Sequence, residues 1–231
     1  MPARVGAAID VGSNSIHLLV AAVVRGVVRP ELELSELLGL GAVVDLEGRI
    51  PVAQRDTALE VLGGYAMTAF EHGAEWVTLL ATEPLRRASN RSQFCDAVLA
   101  GTGLPLHVLS HEAEAELTLL GVLGGRAPSV ATILVDIGGG SSEFILLAPG
   151  EDPVVGILPM GSARLTAGFV EDDPPTPDEV AGLRAEAMRL VSSMPVGHPK
   201  RGIAVGGSGS NLLLLTAGFA YAWRKGLFRW R

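Results

Sequence analysis

Apolar residues recur along this chain in short runs, and two of those runs end at an aspartate. The first run leads through Ala7-Ala8-Ile9 into Asp10, passes Val11-Gly12-Ser13-Asn14-Ser15, and resumes over residues 16–24. The second leads through Ile133-Leu134-Val135 into Asp136, passes Ile137-Gly138-Gly139-Gly140-Ser141-Ser142-Glu143, and resumes over residues 144–148. Apolar runs of this length bounded by turn residues predict buried strands, so each copy reads as strand, turn, strand. The copies lie about one domain's length apart, which predicts a duplicated fold with a cleft between its halves.

The rest of the pattern fills in an α/β chain. Residues 5–10 and 16–24 form a hairpin, extended by a strand over 32–38. Gly39, Gly41 and Gly48 mark a loop before a helix over 53–71, where Ala58, Val61, Leu62, Tyr65 and Ala69 share one face. A strand over 76–81 precedes a helix capped by Ser89 or Asn90 and ended by Gly101. A strand over 106–109 then feeds a helix over 111–122. The segment from Gly124 to Ser129 reads as a linker, dividing an N-terminal half, 1–125, from a C-terminal half, 126–231. That second half repeats the plan with strands over 132–136, 143–148, 154–159 and 201–205 and helices over 162–169 and 177–194. A Gly/Ser loop over 206–211 then opens a last helix. Such alternation predicts parallel strands joined through helices by right-handed crossovers.

Composition narrows the class. With 48% hydrophobic and 19% charged residues, the chain has enough apolar material for packed cores. A formal charge of −7 argues against non-specific nucleic-acid binding. The single cysteine, Cys95, forms no intrachain disulfide, which suits a reducing, cytoplasmic setting, and it reads as a small buried hydrophobe on a helix. No secretory leader is evident before Asp10. The apolar stretch over 212–223 is shorter than the roughly 20 residues a spanning helix needs, so no membrane insertion is expected.

Both Asp-tipped turns have the chemistry of a phosphate clamp. Glycines let the backbone approach a ligand closely, and Ser13, Asn14, Ser15, Ser141 and Ser142 add donors beside the N–H groups of Gly12, Gly138, Gly139 and Gly140. Asp10 and Asp136, each at a strand end, are placed to hold a divalent ion. Gly206, Gly207 and Ser208 sit where a strand gives way to a helix, the setting of an anion site. Glu112, Glu114 and Glu116 fall in the first turns of a helix capped by Ser110; carboxylates there stabilise a helix by roughly 0.3–1 kcal/mol with no further role. Glu112 and Glu116 share a face and Glu114 points away from it. Arg86 follows a strand's C-terminal end, which in α/β folds faces the ligand crevice, and Thr82 there is open to either a cap or a phosphate contact. His17, His107 and His111 have no zinc-ligand spacing.

Five segments in order carry a family resemblance: Ala8 to Ser15, Ala81-Thr82-Glu83-Pro84-Leu85-Arg86-Arg87-Ala88-Ser89-Asn90, Ser110-His111-Glu112-Ala113-Glu114-Ala115, Asp136 to Glu143 and Val205 to Asn211. With them the chain resembles the exopolyphosphatase / guanosine pentaphosphate phosphohydrolase (Ppx/GppA) family of the actin-like ATPase superfamily. That resemblance implies two actin-like (ribonuclease H-like) halves, each a mixed sheet flanked by helices, with the second half incomplete at its C-terminus. It implies Mg²⁺ or Mn²⁺ held by Asp10, Asp136 and Glu143, and phosphate bound by the two turns, by Arg86 and by the loop from Gly206. Glu114 takes the position of the general base that activates water, despite His111, Ala113 and Glu116 replacing the usual Gly, Glu and Arg. The implied reaction is release of terminal phosphate from inorganic polyphosphate or guanosine pentaphosphate.

Two features pull against long polyphosphate and a complete fold. Glu31, Glu33, Glu36 and Asp45 occupy a stretch, residues 30–48, that has no lysine or arginine. The tail from Arg224 to Arg231 pairs aromatics with cations, as a shortened chain would, and uncovered apolar surface would favour a homodimer. A non-catalytic nucleotide- or phosphate-binding module, an actin-like kinase and a membrane-docking tail are the alternatives.

Overall fold

The computed structural model describes residues 4–194 and 197–207. These fall into two compact units. The first runs to Leu117 and includes Thr166–Gly168; the second takes Thr118–Leu165 and the residues from Phe169 onward.

In the first unit, β1 (Arg4–Val11), β2 (Ser15–Val24) and β3 (Val27–Leu37) form an antiparallel meander. Then come α1 (Leu40–Glu47), α2 (Val52–Glu71), β4 (Val77–Ala81), α3 (Glu83–Arg87), α4 (Arg91–Thr102), β5 (Leu106–Val108) and the start of α5 (His111–Leu123). The sheet order is β3-β2-β1-β4-β5, with β4 parallel to both β1 and β5. Period-two alternation buries Ala7, Ile9 and Val11 of β1 with Ile16, Leu18 and Val20 of β2 and Leu79 and Ala81 of β4. On that face α2 lays Ala58, Leu62, Ala66 and Ala69, with Val61 and Tyr65 half-buried beside them, and α4 adds Phe94 and Val98. Burying a leucine such as Leu62 stabilises by roughly 1.5–3 kcal/mol. Because Asp10 alternates with Ile9 and Val11, it stays off this core face.

Four local expectations change. The third strand begins at Val27, five residues early, paired with β2 along its full length. Helix α1 fills what reads as loop, since Gly39 and Gly48 adopt left-handed φ at its two ends (64° and 68°) while the residues between stay helical. Gly101 lies inside α4, and Gly103, at φ 73°, is the residue that ends it. Asn90 does precede α4 but makes no cap: its side chain bonds Ile50 N and O at 2.9 and 2.7 Å.

In the second unit, β6 (Thr132–Ile137), β7 (Ser142–Leu147) and β8 (Val154–Leu158) form the antiparallel part of a sheet ordered β8-β7-β6-β9, and β9 (Arg201–Val205) runs parallel to β6. Its buried residues include Leu134, Phe144, Ile145, Leu147 and Leu158, and the Phe144 ring lies over Gly156, where a Cβ would come within 1.9 Å of it. Helices α6 (Ser162–Phe169) and α7 (Pro177–Val191) follow β8. A capping box starts α7, with Thr176 and Glu179 each bonding the other's backbone. In both units the Asp-bearing strand lies between its hairpin partner and a parallel strand from later in the chain.

Candidate active site

The two turns share one backbone geometry. Gly12 N donates to Ser15 O and Gly138 N donates to Ser141 O, each at 3.0 Å. A Cβ on either glycine would stand 3.2 Å from the accepting oxygen. Thus Gly138-Gly139-Gly140-Ser141 is the structural counterpart of Gly12-Ser13-Asn14-Ser15.

Side chains in the first turn are largely committed inward. Ser13 Oγ donates to Glu83 Oε2 at 2.8 Å, and Ser15 Oγ lies 2.6 Å from His17 Nε2. Asn14 alone has an exposed side chain; its backbone carbonyl accepts from Leu38 N and Gly39 N at 3.0 and 2.9 Å. Asp10 is half-buried at the end of β1, opposite His17 and beside Leu80 in the ladders.

Arg86 and Glu114 meet although 28 positions separate them. Arg86 Nη1 donates to Glu114 Oε2 at 2.7 Å and to Leu109 O at 3.0 Å. Both side chains are mostly shielded, at 13% and 21% exposure. The other guanidinium groups, Nε and Nη2, are buried with no hydrogen-bond partner among the described residues. Ser110 Oγ accepts from Ala113 N at 3.2 Å, so α5 begins as its sequence predicts. Glu112 and Glu116 are exposed while Glu114 is half-buried. The Glu112 carboxyl is held below its usual range by its own backbone N–H and by the Ser110 hydroxyl. His111 stands one turn before Glu114, and burial, then the Arg86 charge, push its imidazole below the usual histidine range.

In the second unit, Asp136 and Glu143 are direct partners across the β6–β7 ladder, and Glu143 is buried. Ser141 Oγ donates to Glu143 Oε1 at 2.8 Å, and Ser142 Oγ donates to Met160 O. Gly206, at φ 79°, follows β9 where a Cβ would fall 2.5 Å from Asp136 Oδ1, so a glycine there makes room for the carboxylate. Gly207 is next to it; Ser208, with Gly209, Ser210 and Asn211, lies outside the described residues, as does the tail 224–231.

Three residues gain importance that the sequence pattern does not give them. Glu83, only 5% exposed, takes the Ser13 hydroxyl and the Arg87 guanidinium. His111, one turn before Glu114, feels the charges of both Arg86 and Glu114. Gly161 abuts the second turn so closely that a Cβ would come within 2.3 Å of the Gly139 carbonyl. After it, Ser162 N and Arg164 N donate to Gly138 O and Gly139 O at 2.9 and 3.0 Å. Glu83 sits inside the Ala81–Arg86 motif that drew attention to Arg86, and the only signal for Gly161 is its place just before a helix.

Among the described residues no helix is long and apolar enough to cross a membrane. The sequence model of the Ppx/GppA phosphatase family matches residues 19–220. Exopolyphosphatase 1 of Mycobacterium tuberculosis (strain H37Rv) is 34% identical over 216 residues, covering 90% of this chain and 62% of that protein. Exopolyphosphatase 2 of the same strain is 38% identical over 193 residues, covering 77% and 59%. The chain thus spans about three-fifths of the length of these curated relatives. Among solved structures, the Aquifex aeolicus Ppx/GppA family member is 31% identical with a TM-score of 0.71, covering 89% of this chain and 67% of its own. An exopolyphosphatase from Cytophaga hutchinsonii is 25% identical with a TM-score of 0.78, covering 88% and 67%. The mixed sheets flanked by helices are those of the actin-like ATPase fold. By the family match and by these relatives, the chain belongs to the Ppx/GppA phosphatase family.

Proposed function

We propose that this chain carries the active site of a divalent-metal-dependent phosphoanhydride hydrolase that releases terminal phosphate from inorganic polyphosphate, with guanosine pentaphosphate as a second substrate class. One observation carries the reading: a half-buried carboxylate, Glu114, held at 2.7 Å by a guanidinium with two further buried donors that have no partner among the described residues. Leaving buried donors unmade costs about 1–3 kcal/mol each, and a phosphate oxygen is the acceptor best matched to an arginine fork. Glu114 then stands beside the bound phosphate as the general base that orients water and takes its proton. The turns at Gly12 and Gly138 and the loop at Gly206 and Gly207 are proposed as further phosphate-binding segments. Most of the rate gain would come from position and charge, as phosphoryl transfer requires.

A metal ion fits the donor set. Asp136 and Glu143 stand directly opposite one another in the ladder, where like charges repel, and Gly206 leaves space against the Asp136 carboxylate. Their oxygens suit Mg²⁺ or Mn²⁺, which when bound would neutralise charge on the phosphate oxygens, and the same role is proposed for Asp10. The relatives' names, exopolyphosphatase 1 and 2, favour polyphosphate, and the acidic stretch 30–48 favours short chains of it. A cytoplasmic setting goes with this reading.

Phosphate release from polyphosphates of several lengths and from guanosine pentaphosphate, with and without Mg²⁺, tests it. Metal-dependent release, fastest on short polyphosphate, is the expected result. Tight binding with no release would point instead to a non-catalytic phosphate-binding module, and full activity in EDTA would remove the role given to the three carboxylates.

A further inference from the structure

Glu83 is a buried carboxylate that opens α3, two residues past the end of β4, where Thr82 N still pairs with Val11 O of the neighbouring strand at 3.2 Å. It therefore emerges beside the tip of the first hairpin. Its two oxygens are divided: Oε2 accepts the Ser13 hydroxyl at 2.8 Å, and Oε1 accepts Arg87 Nε at 2.8 Å. Arg87 in turn binds Asp45 of α1 at 2.6 Å. The same α1 reaches the tip a second way, since Gly41 N donates to Ser13 O at 2.7 Å, and a Cβ on Gly41 would come within 2.8 Å of Ser13 Cβ. Ser13 is thus gripped at its hydroxyl and at its carbonyl, and it is only 7% exposed.

A buried carboxylate is a poor choice for stability alone, because desolvation offsets much of what its partners return. A serine hydroxyl has one proton to give. Given to Glu83, that proton is not available to a phosphate oxygen, so the turn must offer its backbone N–H groups and Asn14 instead. We infer that Glu83 is a positioning residue that sets the conformation of the first phosphate turn, and that the Ser13 hydroxyl is its anchor point and not a ligand contact. This rests on the phosphate-binding reading of the turn given above.

The experiment uses the full chain with Glu83→Ala, which removes both acceptor oxygens, Ser13→Ala and the double variant. Kinetics on a short polyphosphate are measured together with amide exchange at residues 12–15. Each single change is expected to lower kcat on the order of tenfold or more while KM moves little, since a small misplacement of a positioning group acts in the transition state. The double variant should be no slower than the slower single one, because both remove one contact. Exchange at the turn amides should quicken equally in both variants, with α2 unchanged. Losses that multiply in the double variant, or a Ser13→Ala change that raises KM while Glu83→Ala behaves as native, would overturn the inference. The exchange arm needs no substrate. A native chain that releases no phosphate defeats the hydrolase reading, whereas unchanged exchange in both variants defeats this one whatever the kinetics.

Discussion

Replacing Arg86 with methionine separates what the guanidinium does for the fold from what it does for a ligand. The substitution removes the bond to Leu109 O, worth about 0.5–1.5 kcal/mol, and the charged bond to Glu114, worth about 1.5–3. It also removes two buried donors without partners, whose burial costs about 1–3 kcal/mol each. These terms nearly cancel, so Arg86→Met should change unfolding free energy by less than about 2 kcal/mol in either direction. Ligand linkage should behave differently. Short polyphosphate at about 100 times its dissociation constant should stabilise the native chain by about 2.7 kcal/mol, and the variant far less. Denaturant unfolding with and without polyphosphate reads both quantities. A loss of about 3–5 kcal/mol in the ligand-free variant, as when a satisfied buried pair is broken, would refute the reasoning.

Other outcomes follow from single contacts. Gly161→Ala pushes a methyl against the Gly139 carbonyl, so it should cost about 1–3 kcal/mol and weaken phosphate binding, measured by denaturation and calorimetry. Asn90→Ala leaves Ile50 N and O without their side-chain partner and should destabilise the first unit by about 1–3 kcal/mol while leaving kcat unchanged. Backbone N–H groups of Glu171 and Thr176 hold the Glu179 carboxyl down, to about 2 from an ordinary 4.5. A depressed carboxylate stabilises fully above its unfolded value, and that contribution fades as pH falls from 4.5 toward 2. Circular dichroism on acid titration should therefore show α7 losing helix in that window, and Thr176→Ala should bring the loss to higher pH.

The parts of the fold legible in the sequence are those with long, simple periodicity. Helix α6 and strand β9 match their expected bounds, and α2 differs at its start by one residue, because apolar spacing and flanking turn residues agree there. Helices α1 and α3 were not legible: one is eight residues between two glycines, the other five residues starting at Glu83-Pro84, too short for a 3.6-residue period to emerge. Both Asp-tipped turns were legible as a repeat, since Gly12 and Gly138 are needed for the same close backbone turn. Their hydroxyl partners were not. Ser13 finds Glu83 seventy positions away, and the Arg86–Glu114 pair spans 28, distances that only the parallel arrangement of β1, β4 and β5 closes.

The central claim is that Glu114, held by Arg86, activates water at a bound terminal phosphate, and Glu114→Gln tests it most directly. The amide keeps the size and one acceptor of the side chain but cannot take a proton at neutral pH. Release of phosphate from short polyphosphate should fall by about 10²–10⁴-fold, with KM nearly unchanged. A glutamine variant that releases phosphate as fast as the native chain would contradict the account.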